Sequence, residues 1–290
     1  MESKINKTIS IVTPFYNQEK FLEETIKSVL SQEGNFYIEY IIVDDGSPDN
    51  GREILKKYEE LLKNKKYHTK CLGINFKWWT QKNNGQCNAI NNGFKKATGH
   101  IWAWINSDDY YLPKAFYFAI KKFKENPSID MIYGHCNALY EETGKIKKLI
   151  AEQGDFKTFL KRNHSICQPA TFFKPEIYKK VGGLDENLKY ALDYDLWLKM
   201  LEGGAKILCV DKTLANFRFW EKSHSTTSQD KFNQERRLIF KRYKGNIIDP
   251  KTIYTIRSYI PLSSYFRKKY PKLYKKIKKI FYFFIDKLHY

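Results

Sequence analysis

Ahead of Tyr110, short β-branched runs break abruptly into polar residues, and each is followed by a stretch whose apolar side chains recur at helical spacing. "TISIVTP", Thr8 to Pro14, reads as a buried strand stopped by proline. Leu22, Ile26, Val29 and Leu30 then fall on one face of a helix over Lys20 to Ser31. Tyr40 to Val43 is a second buried strand that breaks at Asp44, Asp45 and Gly46, with Ser47 or Asp49 placed to cap a helix carrying Ile54, Leu55, Tyr58 and Leu61. A strand near Lys70 to Ile74, a helix near Asn88 to Lys96, the strand Ile101 to Ile105 and a helix with Pro113 in its first position continue the rhythm. Such alternation is the pattern of a parallel sheet with helices packed on it.

Beyond about Asn126 the rhythm changes. "MIYGHCNALY" and "KIKKLI" read as strands around an "EETGK" turn, "ICQPATFF" as another short strand, and Asp193 to Gly204 as a helix with a glycine stop, so the second half is expected to be mixed in strand direction. No internal repeat appears, and a break near Asp249 and Pro250 separates body from tail.

Five cysteines, odd in number and never in a Cys-x-x-Cys pair, argue against a disulfide framework and a zinc site. No stretch approaches the roughly 18 to 20 apolar residues of a membrane span. The polar start "MESKINKTIS" does not resemble a signal peptide, so a cytoplasmic location is expected. The net charge of +19 points to an anionic partner, but +10 of it lies between Lys251 and Tyr290, leaving the body only mildly basic.

In an open parallel sheet, ligands bind beyond the carboxyl ends of the strands. Three such ends carry Thr13-Pro14-Phe15-Tyr16-Asn17, Asp44-Asp45-Gly46-Ser47 and Asn106-Ser107-Asp108-Asp109, and they should meet along one edge. Adjacent carboxylates at a strand end need compensation, from solvent in a turn or from a hard cation shared with phosphate oxygens. Glycine-rich phosphate loops are missing, so a bound nucleotide would depend on a metal.

The blocks "ISIVTPFYNQEKFLEETIKSVLSQ", "YIIVDDGSPD", "NNGQCNAINNGFKKATGHIWAWINSDDYYLP" and "QPATFFKPEIYKKVGGLDENLKYALDYDLWLKM" resemble, in order, those of the family 2 glycosyltransferases. The resemblance implies an α/β fold of the GT-A, Rossmann-like nucleotide-diphospho-sugar transferase type, with a mixed central sheet. It implies a domain over 1–249, with a nucleotide-sugar half to about 126 and an acceptor half beyond, before a basic tail over 250–290. Thr13, Pro14 and Tyr16 would line base and ribose, Asp45 would accept from a uracil-type ring nitrogen, and Asp44 would support the turn. Asp109 would ligate Mn2+ or Mg2+, and Asp108 would reach the ribose or the same ion. Gln86 and Asn88 fall where the family contacts the donor, or are polar helix-entry residues.

The same resemblance implies inverting transfer, with Asp193 as the base rather than Asp195, since Leu192 replaces the first acid of the family's pair. Trp197 is core or acceptor-site wall. In "FRFWEKSHSTTS", Trp220 stands at the family's metal-binding histidine, and His224 follows as a possible substitute; His164 is equally ambiguous. The expected donor is a nucleotide-diphospho-sugar, UDP-linked, and the acceptor a glycan or lipid-linked oligosaccharide of a cell-surface polysaccharide. A non-catalytic sugar-nucleotide-binding module would leave Asp193 without a task. A nucleic-acid-binding protein would place basic and aromatic residues where the expected cleft is acidic, so no nucleic acid is expected.

In the tail, Leu273, Ile277, Ile280, Phe281, Phe284 and Leu288 share a helical face, with Lys275, Lys276, Lys278 and Lys279 mostly opposite. That pattern suits a helix lying in an anionic membrane interface, peripheral on the inner face of the cell membrane. A terminal helix docked on the body is the alternative.

Overall fold

A computed structural model describes residues 8–162, 166–221, 223–244 and 271. Its first half follows the alternation read from the sequence: β1 (Thr8–Phe15), α1 (Glu19–Leu30), β2 (Gly34–Asp44), α2 (Gly51–Lys63), β3 (Cys71–Thr80), α3 (Gln86–Lys96) and β4 (Ile101–Trp104). There follow β5 (Tyr110–Tyr111), α4 (Ala115–Glu125), β6 (Met131–Tyr140), β7 (Lys145–Leu149), α5 (Phe156–Arg162), a single helical turn (Gln168–Ala170) and β8 (Thr171–Phe173). The described chain closes with α6 (Pro175–Lys180), α7 (Leu192–Glu202), β9 (Ile207–Phe219), α8 (His224–Thr227) and α9 (Gln229–Lys244). The tail lies outside the described residues except for Pro271.

These strands form one mixed sheet in the order β3-β2-β1-β4-β8-β6-β9-β5, with β7 paired to β6 on the edge away from β9. β3, β2, β1 and β4 run parallel, and β8 is antiparallel to both β4 and β6. Residues on alternate sides of each strand enter separate cores. Val12, Ile41, Val43 and Trp104 pack on the α3 and α7 side, whereas Ile11, Tyr40, Ile42 and Ala103 face α1 and α4. Burial on both faces explains why these strands read as continuous apolar runs rather than alternating ones. Trp104 stacks on Trp197 at 5.4 Å, which fixes α7 over the end of β4 and makes Trp197 a core residue, 3% exposed.

Local details differ from the sequence reading. Pro14 does not stop β1, which continues to Phe15. The Val12 carbonyl faces β4, accepting from Ile105 N at 2.9 Å, and Pro14 faces the same way beyond the last β1–β4 pair. Its missing N–H therefore costs no ladder bond. Neither Ser47 nor Asp49 is the N-cap of α2; Asn50 is, and Asp49 instead accepts from Gly51 N at 3.1 Å and Ser47 Oγ at 2.6 Å. Pro113 precedes α4 rather than opening it, because Lys114 turns the chain at φ 66 before Ala115 starts the helix.

Gly93 lets α3 lie against β1: a Cβ there would stand 2.5 Å and 3.0 Å from the two Val12 methyls. Gly93→Ala sets a helix-propensity gain of about 1 kcal/mol against overpacking of about 1–3 kcal/mol at a site with 0% exposed neighbours. The clash is expected to win, lowering the urea midpoint without changing the slope.

Candidate active site

Parallel pairing brings the three polar strand ends to one edge, where Asp45 N donates to Phe15 O at 2.9 Å. Asp44 is fully buried and saturated. It accepts from Ser47 N (2.7 Å), Arg52 Nε (2.7 Å) and Thr80 Oγ1 (2.8 Å), so its carboxylate shapes the turn after β2. Asp45, 3% exposed, accepts from Gln81 Nε2 (2.9 Å), Asn84 N (3.1 Å) and Gly85 N (2.9 Å), drawing the segment between β3 and α3 over the edge. Tyr16 stands 48% exposed at the rim, while Pro14 is buried and Thr13 turns its hydroxyl inward to within 3.1 Å of the Tyr40 hydroxyl.

The second pair is buried too. Asp108 Oδ2 accepts from Gln18 Nε2 and Trp220 Nε1, each at 2.9 Å, and Gln18 Oε1 accepts from Ser107 Oγ. Asp109, 1% exposed, accepts from Arg218 N at 2.8 Å, and Asn106 Nδ2 lies 3.4 Å from its other oxygen. Gln86 Nε2 donates to Asn106 Oδ1 at 2.8 Å, linking the start of α3 to this pair. The Arg218 guanidinium, 5% exposed, donates to Asp108 O at 2.8 Å, pairs with Glu24 and Glu141, and lies 4.6 Å over the Phe21 ring. Even so, burial pushes both carboxyls upward. Asp109 rises furthest, because the Asp108 charge adds to its desolvation.

Asn88 is turned toward the second half of the chain. Its oxygen accepts from Gln81 and Asn92, and its Nδ2 donates to Glu186 at 2.9 Å. The two acids of α7 have different surroundings. Asp195 is fully buried, 2.9 Å from Arg242 Nη1 and 3.3 Å from Lys199 Nζ. Asp193 is half-buried in the first turn, and desolvation pushes its carboxyl up to about 6 against the opposing Tyr194 amide. Its charge, after those of Asp185, Glu235 and Glu186, adds to the burial that pushes the Cys87 thiol up to about 12, one residue from Gln86. His224 opens α8, but its side chain, like all of His164, lies outside the described residues.

Gln18, Asn106, Arg218 and Trp220 surround the second acid pair in space although two of them, Gln18 and Arg218, carried no role in the sequence reading. The one signal for Gln18 is the preceding Asn17, whose positive φ of 53 marks a sharp turn after β1. Among the described residues no three His, Cys, Asp or Glu side chains are grouped to hold a metal ion. Asp108 and Asp109 nonetheless supply two hard oxygen ligands whose charges lack full compensation, which suits a cation completed by phosphate oxygens and water.

A folded-state pKa above the unfolded one means that the native protein binds the extra proton. Stability then falls as pH rises through that window, and the full cost is present above it. Asp109→Asn should therefore raise the melting temperature at pH 7.5 in chelator. The gain should disappear below about pH 4, where the unfolded carboxylate is protonated as well.

Residues 10–182 match the family described as Glycosyl transferase family 2. An uncharacterised glycosyltransferase of Rickettsia typhi is 31% identical over 201 residues, 67% of this chain and 58% of the relative, so the chain spans little more than half of that protein. Another from Methanocaldococcus jannaschii is 27% identical over 214 residues, 72% of this chain and 70% of the relative. Among solved structures, S. aureus TarS in complex with UDP-GlcNAc superposes with a TM-score of 0.63 at 20% identity, covering 80% of this chain and 65% of that one. The mannosyltransferase PcManGT from Pyrobaculum calidifontis, in complex with GDP-Man and Mn2+, gives 0.54 at 16% identity, covering 74% and 58%. At those identities the likeness shows the fold, the mixed-sheet GT-A arrangement. With more than half its length matched by the family and two thirds aligned to the Rickettsia relative, the chain belongs to glycosyltransferase family 2.

Proposed function

We propose that this protein moves a sugar from a nucleotide-diphospho-sugar, UDP-linked, to an acceptor hydroxyl with inversion at the anomeric carbon. The reading is carried by the contrast on α7: of two acids two residues apart in its first turn, Asp195 is neutralised by Arg242 and Lys199, while half-buried Asp193 has a carboxyl raised toward neutrality. A base poised near the working pH combines the deprotonated form with the strongest driving force for proton transfer. Asp193 takes the proton as the acceptor oxygen attacks the anomeric carbon, and the bond from that carbon to the diphosphate oxygen breaks, its electron pair leaving with the nucleoside diphosphate.

Tyr16 and Asp45 take the base and ribose, with Asp44 holding their turn; Thr13 and Pro14 contribute backbone at that wall, and Gln86 and Asn88 frame the donor from α3. Asp109, with Asp108 beside it, would hold Mn2+ or Mg2+, which when bound neutralises charge on the departing diphosphate. Support comes from relatives: TarS was solved with UDP-GlcNAc and PcManGT with GDP-Man and Mn2+. The acceptor is a glycan or lipid-linked oligosaccharide in cell-surface polysaccharide synthesis, met at the inner membrane face through the basic tail. No helix among the described residues is long and apolar enough to cross a membrane.

A thermal-shift screen of nucleotide sugars with and without MnCl2 identifies the donor by mass-action stabilisation. With that donor, Asp193→Asn should bind normally yet lose about 10²-fold or more in turnover. In the wild type, kcat/KM should climb as pH rises through about 6, following deprotonation of Asp193. Asp195→Asn should cost stability more than chemistry, because it leaves Arg242 and Lys199 short of a buried partner. Unimpaired turnover in Asp193→Asn would reject the base assignment, and donor binding with no turnover by wild type across an acceptor panel would favour a binding module.

For the tail, each lysine near an anionic leaflet contributes about 1 kcal/mol, screened beyond about 8–10 Å at physiological salt. Full-length protein should float with phosphatidylserine liposomes at low salt, and a variant lacking 271–290 should stay at the bottom. A docked helix predicts no flotation and a lower melting temperature on truncation.

A further inference from the structure

α9 lies beyond the segment matched by the family, yet it reaches back to the entry of α7. α7 begins after Ala191, which offers no side-chain cap for the amides at the helix start. Those just upstream are gathered by one carboxylate: Glu235 Oε1 accepts from Lys189 N at 2.9 Å, and Oε2 from Tyr190 N at 2.8 Å and Ala191 N at 2.9 Å. Seven residues on, two turns along the same face of α9, Arg242 donates to Asp195 Oδ1 at 2.9 Å and to Asp185 Oδ2 at 2.8 Å. Between them Ile239 and Phe240 are buried in the α7 side of the core. The helix is thus pinned by apolar contact and by one polar grip on each side of it.

We propose that Glu235 is a positioning residue that fixes the backbone of residues 189–191 and so holds Asp193 in its half-buried site at the start of α7. This rests on the reading of Asp193 as the base. Three N–H groups converging on one carboxylate form a rigid anchor, since each is charge-assisted and those of Tyr190 and Ala191 are part-buried, so that losing them strands a donor. A glutamine at this position would turn an amide nitrogen toward donors and lose at least one of the three bonds. Loosening the segment admits water to Asp193, and the desolvation that raises its carboxyl is relieved.

The test needs no substrate. Protein labelled with 13C-carboxyl aspartate is titrated, with Asp193 assigned by the signal lost in Asp193→Asn, and amide exchange is followed over 189–195. In folded Glu235→Gln the Asp193 midpoint should fall by about half a pH unit or more, and the 189–191 amides should lose protection. Glu235→Asp, which keeps charge and acceptor oxygens, should recover much of both, whereas a merely structural loss would lower the melting temperature without moving the midpoint. An unchanged midpoint or retained protection in Glu235→Gln overturns the inference, and should that variant not fold, Glu235→Asp set against wild type decides by the same criteria. Turnover of Asp193→Asn, measured separately, reports whether the base assignment fails on its own.

Discussion

Burial of two adjacent carboxylates at the end of β4 is the constraint around which the rest of this edge is arranged. Asp108 and Asp109 repel one another in a site that water barely reaches, and the protein answers with donors drawn from four separate places: Gln18 after β1, Asn106 beside the pair, and the Arg218 amide and Trp220 indole from β9 and just beyond. The Arg218 guanidinium completes the enclosure while its own charge is spread over Glu24, Glu141 and two aromatic faces. None of these donors cancels a carboxylate outright. What remains is residual negative potential at a strand end, the condition under which a cation and a diphosphate bind together favourably.

Two other buried acids are held by more donors. Glu39 inside β2 accepts from Ser10, Thr98 and Lys77, and Asp44 is bound by three donors. What distinguishes the strand-end pair from these two is compensation rather than burial, since all four are buried.

How far the sequence could be read follows from the same physics. β1, β2 and β4 were legible because both faces are buried and each breaks into polar residues; the α7 helix was legible from its spacing and glycine stop. The first half of β2 was hidden by Glu39, a charge in a strand interior that only tertiary partners make tolerable. β9 was hidden by Asp211 and Lys212, which fall where the pairing with β6 shifts register and the alternation is interrupted. α9 carries its apolar contacts, Phe232, Ile239, Phe240 and Tyr243, among many charged residues, and Glu235 and Arg242 share in its anchoring, so periodicity had little to detect. The acid pairs themselves were visible as sequence neighbours. Their donors lie as far as 112 positions away, a distance across which no local pattern carries information.

The placement of β9 has a consequence for how the chain is made. This strand lies inside the sheet, between β6 and β5, although it is the last strand among the described residues to leave the ribosome. Asp109 meets its Arg218 donor across 109 positions, so at roughly 5–20 residues per second the carboxylates of β4 wait about 5–20 s for the group that encloses them. During that interval β6 presents an unfinished edge, and the nascent domain is at its most exposed to strand exchange and to chaperone capture. Completion of the acidic edge and completion of the sheet are therefore one event in synthesis, and a stalled chain that ends before β9 would have neither.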